Sequence, residues 1–248
     1  MANWSDPRTT AARYATGAHA RSDAYDAGLR SYMLSVYNYM ASGVLLTGIV
    51  AMLFSMGGYN SPAYNIMVNG GILKWVIMLS PLAIVFAMSF GQAKMKTSTL
   101  QVLYWSFAVL MGLSLSTIFL AYSGASIAQA FFATAAGFAG LSLYGYTTKK
   151  DLSGFGTFLI MGVVGLFVAM LINLFVQSSV MSLVISVIGV LLFAGLTAYD
   201  TQKIKSIYAH VAGTDMMGKV VIMGALNLYL DFINMFLFLL RLMGNQRG

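Results

Sequence analysis

An all-α membrane protein, seven transmembrane helices bundled around a central C-terminal one, is the fold class the sequence predicts, on three observations. Hydrophobic residues make up 59% of the chain against 8% charged, with mean hydropathy +0.79. Such a chain would expose more apolar surface than water tolerates. Several apolar runs approach or exceed the ~20 residues that cross a bilayer. In the middle of the last run, residues 220–240, stands Asp231, one of only seven acidic residues in a chain without glutamate. An ionisable group at that depth costs a few kcal/mol or more unless it faces protein, water or a partner, so it marks an ion or proton pathway.

Residues 1–30 form a polar N-terminal arm in which Arg8, Arg13, Arg21 and Arg30 are mixed with Asp6, Asp23 and Asp26. The mixture of signs is not that of a cleavable signal peptide and predicts a flexible cytosolic tail. Residues 31–248 form the membrane domain. Its apolar segments are expected at 31–55, 72–91, 99–122, 126–146, 155–176, 180–204 and 219–242. The stretches 123–125 and 177–179 between them are so short that they join antiparallel neighbours, which makes a compact bundle. The longest outer loop, 55–71, is rich in Gly, Asn and Ser and holds Pro62. Pro81 should kink the second segment. Pairs of small residues four apart, Ala136 with Gly140 and Gly165 with Ala169, predict close helix contacts. In the seventh segment Gly224, Asn227, Asp231, Asn234 and Arg241 recur at helical spacing on one face. That face cannot look at lipid, so the helix carrying it should be surrounded by the others.

The net charge of +7 does not point to nucleic acid, because the basic residues are dispersed singly or in pairs between apolar runs. It fits the positive-inside rule. With a cytosolic N-terminus, the four arm arginines fall inside with Lys94, Lys96, Lys149, Lys150, Lys203, Lys205 and Lys219, and Lys74, Arg241 and Arg247 fall outside. Two arginines at the outer C-terminus would be avoided by a re-entrant last segment, but seven full spans are the expectation. No cysteine is present, which removes disulfides, thiol nucleophiles and Cys-ligated zinc. His19 and His210 both lie in polar segments and read as solvated rather than as metal ligands. No cofactor is expected.

The sixth segment ends in Thr197, Tyr199 and Asp200, and a helix prolonged through Ile204 and Ile207 would hold Asp200 within it. Two aspartates on sequential antiparallel helices can then meet in the cytosolic half of the bundle. Two carboxyls in a low-dielectric site cannot both ionise cheaply, so a proton is shared between them. When both are charged they repel and offer hard oxygens suited to Ca2+. Asp200 and Asp231 are thus the expected pH-sensing and ion-pathway residues, with Thr197, Asn227 and Asn234 in support. The alternative pairs Asp200 with Lys203 or Lys205 and hydrogen-bonds Asp231 to Asn227 or Asn234.

Tyr199-Asp200 followed by Gln202-Lys203-Ile204, and Leu228-Tyr229-Leu230-Asp231-Phe232-Ile233-Asn234 leading to Leu240-Arg241, resemble the signature of the Bax inhibitor-1 family of multispanning membrane proteins, in its bacterial YccA-like branch. Stretches 29–33, 37–40 and 148–153 resemble its other recurrent segments, so the likeness runs from about Arg30 to Met243. The resemblance implies a seven-helix fold with a central last helix and a pH-sensitive Ca2+ leak governed by an aspartyl pair, here Asp200 and Asp231. It also implies a multi-pass protein of the bacterial inner membrane. Some members carry an arginine after the second helix that interacts with the pair. Lys94 stands at the matching place, and a lysine lacks the planar fork that grips two carboxylates. The family also includes suppressors of cell death and a modulator of a membrane-bound protease, so the competing expectation is an interaction protein whose arm or 201–219 loop engages such a protease without transport. An enzyme is not expected. Intramembrane aspartyl proteases need Gly-x-Gly-Asp at their second acid, where this chain has Leu228-Tyr229-Leu230-Asp231, and no lysine lies within the seventh span for a retinal Schiff base.

Overall fold

The computed structural model describes residues 7–245, with side chains from residue 23 onward. All its regular elements are helices: α1 (Pro7–Ser55), α2 (Pro62–Asn69), α3 (Gly71–Gly91), α4 (Thr97–Leu115), α5 (Ile118–Ala121), α6 (Gly124–Thr147), α7 (Ser153–Val176), α8 (Ser179–Val211) and α9 (Met216–Met243). Seven stretches are long and apolar enough to span a membrane, α4 and α5 counting as one.

The predicted arm does not end where the first span begins. α1 runs unbroken from Pro7, a residue suited to the first helical turn. Its described last turns before residue 30 are docked, since Leu29 is buried and the Tyr25 ring lies 5.2 Å from that of Tyr208 on α8. Of the arm, residues 1–6 lie outside the described residues. Farther on, Tyr32, Val36, Met40, Val44, Thr47 and Ala51 are buried at spacings of three and four, so one face of α1 meets the bundle.

Hydroxyl side chains cap three helix starts. Ser61, Ser123 and Ser178 cap α2, α6 and α8 by accepting from the backbone N–H three residues on, at 3.1, 3.2 and 3.2 Å. The outer loop therefore contains a short helix of its own. Asp151 accepts from the Ser153 N–H at 2.9 Å before α7, and these hydrogen bonds hold its carboxyl below the usual range. α3 continues through Pro81. The ring leaves the Ile77 carbonyl without its helical donor, and Ser80 Oγ donates to that carbonyl at 3.1 Å instead. The third expected segment is broken rather than continuous, with Ser116 Oγ at the break turning back to donate to the Leu113 carbonyl at 2.6 Å.

α9 sits centrally, packed on α8, α1, α6 and α4, while α7 rests chiefly on α8 and α3 on α4 and α2. The outer two expose large apolar side chains such as Ile72, Phe90, Phe158 and Phe175, which are at home against acyl chains. α9 crosses fully. Its C-terminal Asn245 meets the α5–α6 turn, donating from N–H to Ser126 Oγ at 3.0 Å and accepting from the Ser123 N–H at 3.4 Å.

Two expectations about contacts are overturned. Ala136, Gly140 and Gly165 are exposed, with nothing within 4 Å of where a Cβ on either glycine would stand, and of the four only Ala169 packs against the core. Close approach happens instead at Gly145, where a Cβ would strike the Ala198 backbone of α8. The expected loop 201–219 is mostly helix, since α8 extends to Val211 and α9 starts at Met216. Ile204 and Tyr208 are buried, and that apolar spacing carries the helix past Asp200.

Candidate functional site

The short link between α8 and α9, with Gly213 at φ 74, reverses the chain so that the two helices lie antiparallel along much of their length. Asp200 on α8 and Asp231 on α9 are thereby brought side by side, close enough for their carboxyls to act on one another. Asp231 is only 4% exposed and Asp200 half-buried. Oδ2 of Asp231 is buried and receives no hydrogen bond from any protein donor. Ionised carboxylates only accept, so a bond between the two exists only while one of them keeps a proton. A second proton lost leaves two charges facing each other where the dielectric is low.

The cation whose charge acts on Asp200 is Lys203, one turn along α8. Its Nζ lies 5.8 Å from the centre of the Tyr199 ring. Lys205 is turned elsewhere, donating to the Tyr146 carbonyl at 2.7 Å. Lys94 is exposed in the turn between α3 and α4. The expected supporting residues keep to their own helices: Thr197 Oγ1 donates to the Phe193 carbonyl and Asn234 Nδ2 to that of Leu230, each at 2.8 Å. Asn227 and Asn234 are half-buried on α9, within the bundle rather than on an open face. Arg241, expected on the same stripe, is exposed at its far end, over the Phe238 ring at 5.7 Å.

Two polar ties flank the pair that sequence reasoning missed. Tyr37 of α1 hydrogen-bonds Ser142 of α6, and Ser142 Oγ lies 3.0 Å from Thr201 Oγ1, next to Asp200. On the other side Tyr229, two residues before Asp231, shares a 2.6 Å hydrogen bond with Thr47 Oγ1, which donates onward to the Ala108 carbonyl at 2.8 Å. Hydroxyls are too common in such a sequence to single these out. Only their meeting across four helices makes them notable. Thr47→Val, which keeps the volume, is expected to leave the Tyr229 hydroxyl buried and unpaired at a cost of about 1–3 kcal/mol. A lowered apparent Tm in detergent is the check, and an unchanged Tm would deny the tie any structural weight.

Among the described residues no cluster of three or more His, Cys, Asp or Glu exists. The pair alone offers fewer oxygens than the about 6–8 that a held calcium ion takes. Such a site suits an ion in transit better than a resident one.

A family described as inhibitor of apoptosis-promoting Bax1 matches residues 29–248. The chain is 47% identical over 229 residues to an uncharacterized protein of Rickettsia prowazekii, covering 92% of this chain and 95% of that one. It is 42% identical over 224 residues to the inner membrane protein YbhL of Escherichia coli, covering 89% and 94%. An uncharacterized membrane protein of Streptococcus pyogenes is 39% identical over 221 residues, covering 89% and 95%.

Proposed function

The chain belongs to the Bax inhibitor-1 family of multispanning membrane proteins, and from that premise we propose that it is a pH-sensitive calcium leak whose gate is the Asp200–Asp231 pair. The observation that carries this reading is the contact of two carboxyls on the enclosed helix α9 and its neighbour, one with a buried oxygen that no protein donor satisfies. A proton held between them ties α8 to α9. Its loss puts like charges in contact, and the two helices relieve the repulsion by parting or by admitting a cation between them. Protons and Ca2+ are then the controlling and the carried ions, and the protein performs no covalent chemistry.

Calcium uptake into liposomes holding only the purified protein tests this, with pH varied at fixed gradient. Flux that rises or falls with pH is the expected result. Absence of flux at every pH would sink the leak and favour an interaction protein acting on a membrane-bound protease.

The same reading places the protein in a bacterial inner membrane with its N-terminus cytosolic, supported by the name of the Escherichia coli relative and by the basic residues Lys94, Lys149 and Lys203. Since the chain has no cysteine, single cysteines at positions 149 and 203 report orientation directly. Both should resist an impermeant thiol reagent in intact cells and react after permeabilisation. Ready labelling from outside would invert the topology.

A further inference from the structure

Along their antiparallel course α1 and α6 scarcely touch, and three cavities follow one another down the seam between them. At the end nearest the α6–α7 turn is a polar vestibule of about 470 Å³, where Asp26 and Tyr146 face Gln202 and Lys205 of α8. Next, sharing Tyr146 with it, comes an apolar crevice of about 470 Å³ between Arg30, Met33 and Leu34 on one wall and Ala139 and Leu143 on the other, with Phe138 and the Tyr37–Ser142 pair deeper in. In the far half lies a cavity of about 320 Å³ lined almost wholly by apolar side chains, among them Phe131, Phe132, Phe232 and Phe236. Phe138 and Phe232 meet edge to face at 5.7 Å.

The seam thus grades from charged through mixed to apolar, the order of a bilayer lipid from headgroup to chain end. Its rim residues Leu34 and Leu143 are 51% and 64% exposed, which in a spanning bundle means exposed to lipid. The middle crevice covers Arg30 to Tyr37 on α1, about 10 Å of helix, a large part of one leaflet's share of the ~30 Å hydrocarbon core. At its polar end Arg30 lines the crevice, and Asp26 and Lys205 line the adjoining vestibule. Arg30 is exposed, Lys205 spends one of its donors on the Tyr146 carbonyl at 2.7 Å and keeps others, and Asp26 is the opposing carboxylate. Basic pockets between membrane helices select anionic headgroups.

We propose that the seam between α1 and α6 binds one anionic phospholipid, its phosphate against Arg30 and Lys205 and an acyl chain in the crevice beside Phe138. The lipid would close a bundle that protein contacts leave open between these two helices, and its chain would lie over the Tyr37–Ser142–Thr201 tie that leads to the residue next to Asp200. The assignment stands independently of any leak activity, because it needs only the spanning bundle and the seam.

Native mass spectrometry of the full chain, released from vesicles of equal parts phosphatidylglycerol and phosphatidylcholine, tests it. The unaltered protein should retain one phosphatidylglycerol in preference to phosphatidylcholine. Arg30→Ala should reduce that preference about five-fold, the worth of one basic contact at a membrane surface, and Arg30→Lys should restore most of it. Ala139→Trp, which fills the crevice from its open side, should abolish retention of either lipid. Leu143→Trp on the rim serves the same purpose should the first variant fail to fold. Equal retention of the two lipids by the unaltered protein, or phosphatidylglycerol retention untouched by either the arginine or the tryptophan substitutions, would overturn the assignment.

Discussion

Asparagine in place of either Asp200 or Asp231 is expected to give a protein whose calcium flux, whatever its absolute rate, has lost most of its response to pH. The substitution nearly preserves volume and keeps a hydrogen bond possible between α8 and α9, but it removes the charge that appears when the shared proton leaves. In the unaltered pair that charge faces another carboxylate across a contact no protein donor screens, so small changes in proton activity carry a large electrostatic consequence. The amide has no such dependence. Lys203 supplies the companion test. It stands one turn from Asp200 on α8, so Lys203→Ala should displace the midpoint of the flux response. Lys94→Ala, on an exposed turn, should leave that midpoint in place. A pH response unchanged in both asparagine variants would end the aspartyl-gate mechanism.

Much of this was legible in the sequence because the membrane simplifies the code. Spans announce themselves by length and hydropathy, and an aspartate within one has few places to go, so the pairing of Asp200 with Asp231 follows once two antiparallel helices are joined by a short link. What was not legible depended on side-chain direction and on local competition for backbone groups. Ser116 at the break in the third span bonds back to the Leu113 carbonyl three residues earlier, yet Ser206 makes the same three-residue bond to Lys203 within unbroken α8. The choice between Lys203 and Lys205 as neighbour of Asp200 turned on which one could reach the Tyr146 carbonyl. Lys94 matched a position in a motif, but it lies exposed in the turn that carries it. The Thr47–Tyr229 tie joins residues 182 positions apart, and no periodicity announces it.

The glycines sharpen the same lesson into a stability test. Spacing selected Gly140 and Gly165 as contact points, whereas the close approach of α6 to α8 is at Gly145, against backbone atoms of Ala198 two residues before Asp200. Backbone cannot rotate aside as a side chain can, so Gly145→Ala must push the helices apart. A loss of about 1–3 kcal/mol is expected for such overpacking, seen as a fall in apparent Tm. At Gly140 and Gly165 the added methyl meets open space, and the better helix propensity of alanine, up to about 1 kcal/mol, should leave stability equal or slightly raised. The displacement at Gly145 also moves the segment of α8 that carries Asp200, so its flux should lose pH sensitivity along with stability, while the two control variants retain both. Equal losses of stability at all three positions would mean that small residues act through spacing alone, and that the α6–α8 contact at Ala198 does not hold the acidic pair in register.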